Sequence, residues 1–328
     1  MKPAARFDAL SPMLALEAIE EAYELRLDGT ISTFSSYINR VYGLRGEEGE
    51  GYVAKFYRPG RWSEEAIAEE HGFIADCAAL DIPAVVPLAN SYGETISALE
   101  IDTDEGETVF PFALFPKHGG RQFDAEGDED WTRLGAMAGR IHAAGRRGVF
   151  HERNRFDSQL VRGQVQELKP LVHPELSGDF TETVDASLQS ILPRLDSFEG
   201  IRIHGDLHRG NILERPDEGL LVIDFDDCLR GPPIQDLWLL LPDRSDRCTR
   251  ELSLLIEGYS EFAELEQGSV AFIESLRFLR MIHFLAWRAR QRSDLWFARD
   301  FPDWGTRAFW IKEVEDLREQ ARNILEVS

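Results

Sequence analysis

An aspartate, an asparagine five positions later and a second aspartate at the end of an apolar run form a set of oxygen donors suited to one kind of chemistry. The first two lie in His204-Gly-Asp206-Leu-His208-Arg-Gly-Asn211, and thirteen residues on, after Leu220-Leu-Val-Ile, stands Asp224 in Asp224-Phe-Asp-Asp. Magnesium is a hard cation that takes oxygen ligands, so the Asn211 amide oxygen and the Asp224 carboxylate are its candidate ligands. Phosphoryl transfer asks a protein for a group to orient the nucleophile, a metal bridging the phosphates and a cation on the phosphates that stay behind. Asp206 is the candidate base for the first task. Either motif alone arises by chance, since acidic turns ordinarily serve as caps or solvated loops; the two together, in this order and spacing, are much rarer.

The separation of Asp206 from Asn211 is that of the kinase catalytic loop H-R-D-L-x-x-x-N, and Asp224 stands where the D-F-G aspartate would lie. The rest of the chain is compatible with such an enzyme. Its 328 residues suffice for two lobes with separate cores, and 43% apolar and 10% aromatic content is that of an ordinary folded protein. Acidic residues outnumber basic ones 59 to 36, for a net charge of −23. That field repels phosphate backbones and argues against nucleic acid as a partner; it either favours a cationic substrate or only maintains solubility. Cys77, Cys228 and Cys248 are odd in number, far apart and without a C-x-x-C pair, which fits a reducing cytoplasm better than disulfides or structural zinc. The N-terminus lacks a secretory apolar segment and no run approaches a membrane span, so a cytoplasmic location without membrane association is expected.

The elements that must position these residues are legible in outline. Tyr37-Ile-Asn-Arg-Val-Tyr and Tyr52-Val-Ala-Lys-Phe-Tyr, joined by a glycine-rich acidic stretch, predict a β-hairpin. Residues 61–80 predict a helix with Ser63 as N-cap. Strand-like runs at 95–101 and 108–115 flank an acidic turn and complete a small sheet-plus-helix lobe. The composition changes at Pro116-Lys-His-Gly-Gly-Arg-Gln, which places a lobe boundary there, with residues 1–116 on one side, 117–328 on the other and a hinge about 112–121. Beyond it, apolar spacing predicts helices at 131–144, 180–195, 252–262, 270–290 and 309–325. The short apolar runs 201–204 and 220–225 predict a small hairpin delivering Asp206, Asn211 and Asp224. The fold class expected is therefore α+β: a small N-terminal antiparallel sheet with a helix, and a larger, mainly helical C-terminal lobe.

The H-G-D-x-H-x-x-N loop followed by I-D-F-D resembles the aminoglycoside phosphotransferase and choline kinase superfamily, whose members share the protein-kinase-like fold. Four further blocks, Ser36-Tyr-Ile-Asn-Arg-Val-Tyr42, Val53-Ala-Lys-Phe-Tyr-Arg-Pro59, Phe115-Pro-Lys-His-Gly-Gly-Arg-Gln122 and Gly231-Pro-Pro-Ile-Gln-Asp-Leu-Trp-Leu-Leu-Leu241, are similar to its stress response kinase A (RdoA-type) branch. The resemblance spans most of the chain. It implies that Lys55 contacts the α- and β-phosphates of ATP, a role that a strand lysine on its own would not suggest. It also implies a helix glutamate holding that lysine. Of Glu64, Glu65, Glu69 and Glu70, the apolar residues three and four positions after Glu70 favour it, with Glu69 close behind. The G-x-G-x-x-G phosphate loop of ordinary protein kinases is absent. In its place stands Thr33-Phe-Ser-Ser-Tyr-Ile-Asn39, where the resemblance implies that Ser36 meets phosphate; Ser35 and backbone N–H groups could share the role, or the stretch is a plain serine-rich turn.

Residues 112–117 would supply the adenine hinge, and Gly119, Gly120 and Arg121 either contact substrate or form a tight turn. By the same resemblance His204 props the catalytic loop and Asp236 anchors its backbone, while Asp226 and Asp227 serve a second magnesium, a basic substrate or a solvated turn. His142 is expected to be a satisfied core histidine, and His208 and Arg209 to touch phosphate or substrate. The activity implied is ATP- and Mg2+-dependent transfer to the Ser/Thr hydroxyl of a protein in the stress-response manner; a monomer is the expectation apart from the resemblance. Transfer to a small hydroxylated molecule such as an aminoglycoside, choline or homoserine is the alternative, and a nucleotide-sensing scaffold without turnover is a third.

Overall fold

The computed structural model describes residues 7–34, 36, 38–103, 106–215, 218–294 and 297–327. In chain order the N-terminal part comprises α1 (Pro12–Tyr23), β1 (Leu27–Phe34), β2 (Arg40–Gly46), β3 (Gly51–Phe56), α2 (Glu64–Ala78), β4 (Ser97–Thr103) and β5 (Gly106–Pro116). There follow β6 (Arg121–Gln122), α3 (Asp128–Gly145), α4 (Ser158–Leu168), α5 (Ser177–Ser197), β7 (Ile201–Ile203), β8 (Ile212–Arg215), β9 (Gly219–Val222) and β10 (Leu229–Gly231). Helices α6 (Ile234–Leu240), α7 (Thr249–Ser260), α8 (Ile273–Gln291), α9 (Phe297–Asp300) and α10 (Arg307–Val327) complete the order. The chain divides into two compact units that are discontinuous in sequence. One is Met1–Phe123 with His151–Arg153 and Gly210–Asp226; the other is Asp124–Phe150, Asn154–Arg209 and Asp227–Ser328.

The first unit is built on a five-stranded antiparallel sheet in the order β1-β2-β3-β5-β4. Alternate side chains on a strand point to opposite faces, and the sequence uses that period. Tyr42 and Leu44, Ala54 and Phe56, and Phe110, Phe112 and Leu114 pack with Ala15, Leu16, Ile19 and Tyr23 of α1. The intervening Ala113, with Tyr57, belongs to a separate cluster with Ile67 of α2. Lys55, between Ala54 and Phe56, therefore projects away from α1 toward α2. Helix α2 begins where expected: Ser63 Oγ accepts from the Ala66 N–H at 3.1 Å, and Glu64 and Glu65 in the first turn complement the helix dipole. A second, three-stranded sheet, β6-β8-β9, lies in the same unit.

The other unit is helical apart from the β7–β10 pair. Helices α3 and α7 approach until their backbones nearly touch: a Cβ at Gly135 would strike the carbonyl oxygen of Leu255, and one at Gly258 that of Thr132. Helix α8 packs against α4, α6 and α10, burying Ile273, Leu276, Phe278, Leu279, Ile282 and Leu285. Among the described residues no helix is long and apolar enough to cross a membrane.

One expected pairing is not formed. The runs 201–204 and 220–225 do not make a hairpin with each other. Gly219–Val222 closes on Ile212–Arg215, whereas Ile201–Ile203 pairs with Leu229–Gly231. The physical reason is local: residues 212–215 are themselves strand-forming, and a neighbour a few positions away closes at lower loop entropy than one further off.

Candidate active site

In the first unit, the sheet register sets the geometry around Lys55. Val41 on β2 and Ala113 on β5 flank Lys55, and Phe34 pairs with Val41 on the far side, so the β1–β2 connection lies at the Lys55 end of the sheet. That connection carries Ser36, which is exposed and accepts from the Asn39 N–H at 3.3 Å. Ser35 and Tyr37 of the same stretch lie outside the described residues. The Lys55 ammonium lies 3.2 Å from Glu70 Oε1, 3.0 Å from Asp226 Oδ1 and 3.6 Å from Asp224 Oδ1, above the Tyr57 ring. Burial pulls its pKa down, but the carboxylates of Asp226 and Glu70 outweigh burial and hold Lys55 well above the ordinary lysine value.

The two candidate glutamates of α2 have different partners. Glu70 is buried, and its second oxygen accepts from Arg153 Nη2 at 2.5 Å. The Glu69 carboxylate accepts instead from the backbone N–H groups of His151, Glu152 and Arg153 at 2.6, 3.0 and 2.9 Å. Arg153 also donates to the carbonyls of Ala66 and Asp226, at 2.7 and 2.6 Å, and stacks 4.2 Å from the Trp62 ring. Arg61 pairs with Asp226. Asp226 is thus a buried member of an ion cluster rather than part of a solvated turn. Despite burial, Lys55, Arg61 and Arg153 hold its carboxyl well below the usual range. Neither Arg61 nor Arg153 belongs to a motif, so nothing in the sequence pointed to them.

Asn211 and Asp224 sit at one end of the β8–β9 ladder. Ile212 pairs with Val222, and the Asn211 carbonyl accepts from the Ile223 N–H at 3.0 Å, one residue before Asp224. Asp224 has φ +62°, in the left-handed region that few residues other than glycine occupy, and its side chain is 56% exposed. An amide oxygen and an exposed carboxylate at one ladder end are hard oxygen donors that fit magnesium, which commonly takes one or two protein carboxylates and fills its shell with phosphate and water. Among the described residues no group of three or more His, Cys, Asp or Glu could hold a metal ion, so an all-protein cage is not formed.

Gly120 and Arg121 have structural duties in the same unit. A Cβ at Gly120 would lie 2.9 Å from that of Leu213, and Arg121 on β6 donates to Glu214 on β8 at 2.6 and 2.9 Å. Neither Gly119 nor Gly120 has a positive φ, so they do not form a tight glycine turn.

In the other unit the loop after β7 carries Asp206. Asp236, buried near the start of α6, accepts from the backbone N–H groups of His204 at 2.8 Å and Gly205 at 2.9 Å. His142 Nε2 lies 2.9 Å from the same carboxylate and its Nδ1 3.1 Å from the Tyr259 hydroxyl, which makes His142 a satisfied core histidine. Gly205 has φ +82°, and a Cβ there would strike the Asp227 carbonyl oxygen. The His204 side chain accepts from the Asp206 N–H at 3.3 Å. The Asp206 carboxylate pairs with Arg280 of α8 and lies 3.5 Å from His208 Nε2. Burial pushes its pKa up, but the hydrogen bond from His208 and the charge on Arg280 hold it well below the usual carboxylate range. Arg209 pairs with Asp124 at 2.8 Å.

The chain belongs to the phosphotransferase enzyme family, whose model matches residues 30–273. It is 33% identical to stress response kinase A of Escherichia coli (strain K12) over 324 residues, 98% of this chain and 95% of that protein. A serine/threonine protein kinase RdoA of Salmonella typhimurium (strain LT2) is 34% identical over 321 residues, 96% of this chain and 94% of that one. These relatives make the chain a kinase. Among solved structures, the amicoumacin kinase hAmiN in complex with AMP-PNP, Ca2+ and Ami has a TM-score of 0.75 at 19% identity, covering 94% of each chain. The choline kinase LicA from Streptococcus pneumoniae has a TM-score of 0.62 at 15% identity, covering 94% of this chain and 97% of that one. The fold is therefore the α+β, two-lobed kinase-like fold of this family.

Proposed function

We propose that this kinase is a cytoplasmic serine/threonine protein kinase of the stress-response type that uses ATP and Mg2+. Residues 1–116 would form its nucleotide-binding lobe and 117–328 its catalytic and substrate lobe. One observation carries the reading: the Lys55 ammonium lies 3.2 Å from Glu70 and 3.6 Å from Asp224, so the residue assigned to the phosphates neighbours the one assigned to the metal. The protein acceptor is supported by the name of one relative that matches nearly the whole chain, the serine/threonine protein kinase RdoA.

In this reading Ser36 and Lys55 hold the phosphates, and Glu70 keeps Lys55 extended. Asn211 and Asp224 would hold magnesium, which when bound offsets charge on the phosphates. Asp206 accepts a hydrogen bond from the acceptor hydroxyl. As that oxygen bonds to the γ-phosphorus, the bond from phosphorus to the β,γ-bridging oxygen breaks, the proton passes to Asp206 and ADP departs. Asp206 precedes Asn211 by five residues, so the covalent chain keeps the Cα atoms of base and metal ligand within about 18 Å even when extended.

The test supplies purified protein with labelled ATP and either myelin basic protein or a panel of choline, homoserine and aminoglycosides. Label is expected on the protein acceptor, and Asp206→Ala and Asp224→Ala are expected to lower turnover by about two orders of magnitude or more. Label on the small molecules alone would refute the protein-kinase reading. Magnesium-dependent ATP binding with no turnover, unchanged by Asp206→Ala, would refute the enzyme.

A further inference from the structure

We propose that Arg280 is a positioning residue for the transfer, fixing the Asp206 carboxylate in the orientation that receives an acceptor hydroxyl; this rests on Asp206 having the role given above. The backbone of the catalytic loop is held by Asp236 through the N–H groups of His204 and Gly205. Those bonds are made by the backbone and do not themselves fix the side-chain torsions of Asp206. A base must lie within hydrogen-bond reach of the proton it receives, so free torsions would disperse it.

Arg280 restrains that side chain from outside the loop. Its Nη2 donates to Asp206 Oδ1, and its Nη1 lies 3.5 Å from the Gly205 carbonyl oxygen, so one planar fork spans carboxylate and backbone. His208 reaches the other oxygen at 3.5 Å, but from within the loop itself and with a side chain 45% exposed. Arg280 is 74 positions away in sequence and stands on a helix whose apolar face is buried and whose His283 Nδ1 lies 2.8 Å from Gln164 Nε2 of α4. The restraint therefore originates in a rigid element, not in the loop that it restrains.

The charge has a second consequence. A cation on Asp206 opposes proton uptake, so Asp206 orients the hydroxyl first and takes its proton only as the bond to phosphorus forms. That order suits a loose transition state, in which the attacking oxygen has little bond to phosphorus and retains its proton until late.

The experiment uses full-length wild-type, Arg280→Met, Arg280→Lys, Arg280→Gly and Asp206→Ala proteins with labelled ATP and the acceptor that the wild type labels. Arg280→Met is expected to lower kcat by about 100-fold, the loss that a small misplacement of a reacting group produces, with KM for ATP and the thermal midpoint unchanged. Arg280→Lys should recover only part, because an ammonium cannot form the fork. Low millimolar guanidinium should restore activity to Arg280→Gly and not to Asp206→Ala, a readout that a purely structural role would not move. An inactive Asp206→Ala beside an Arg280→Met of unchanged kcat overturns this inference and leaves the kinase reading standing. An active Asp206→Ala, or a wild type that labels nothing, overturns both.

Discussion

Replacing Glu70 by Gln tests the buried ion cluster most directly. Glu70 and Arg153 have side chains 1% and 0% exposed, with oxygen and nitrogen 2.5 Å apart. Lys55 keeps Asp226 at 3.0 Å after the change, whereas Arg153 loses the carboxylate 2.5 Å from it and keeps two carbonyl oxygens, the Trp62 ring and the charge of the neighbouring Asp226. Removing one partner of a buried pair costs about 3–5 kcal/mol when the other charge is left uncompensated, and less where a second carboxylate such as Asp226 stays nearby. The Gln amide oxygen still accepts a hydrogen bond, which places the expected loss near the lower end, about 3 kcal/mol in urea unfolding at neutral pH. Adding Arg153→Met removes the cation that has lost its closest carboxylate, so the double variant should be more stable than Glu70→Gln alone. Exposed Glu17→Gln, in the middle of α1, serves as the control, with a change within about 0.5 kcal/mol. A Glu70→Gln loss under about 1 kcal/mol, or a double variant less stable than the single, would refute the argument that the lost Glu70–Arg153 ion pair dominates.

Two further perturbations address other parts of the fold. Both Asp236 oxygens accept hydrogen bonds, so Asp236→Asn must turn an N–H toward the donor at His204 or Gly205. It should cost about 1–3 kcal/mol in urea unfolding and lower kcat while leaving KM for ATP intact, a split read by steady-state kinetics. Burial depresses His71 from 6.5 to about 4, so the unfolded chain takes up a proton there before the folded one does. Stability from this group is complete above pH 6.5 and falls as pH drops toward 4, by about 2 kcal/mol at pH 5. His71→Gln should therefore flatten the fall in thermal midpoint between pH 7 and pH 5, and an unchanged slope would show that His71 is not its source.

What the sequence made legible followed from two kinds of signal. Period-2 alternation around Lys55 and the Ser63 cap located β2, β3 and α2, because both signals are local and the burial they imply is one-sided. The residues at Asp206, Asn211 and Asp224 stood out because donor type and spacing travel together. Helices α1 and α4 were not foreseen: α1 buries only Ala15, Leu16, Ile19 and Tyr23, and α4 is polar on all but a few positions such as Val161, Val165 and Leu168. The pairing of residues 201–203 with 229–231 depends on which strand meets which, a non-local choice that periodicity does not encode. Arg61, Arg153 and Arg280 were invisible for the same reason. An arginine carries no mark of its partner, and each of these finds a carboxylate distant in sequence.

The three backbone hydrogen bonds that Glu69 accepts make α2 a fastened element. To swing outward, the helix would have to shed those bonds and drag the neighbouring Glu70 from both Lys55 and Arg153 in one motion. A helix tethered by consecutive side chains to a strand on one side and a distant stretch of chain on the other is a poor throttle. Control of this kinase by displacing α2 would need an effector able to compensate the whole set of contacts at once. Cheaper points of control are the exposed Ser36 and Asp224, which a regulator could reach without undoing the buried ions.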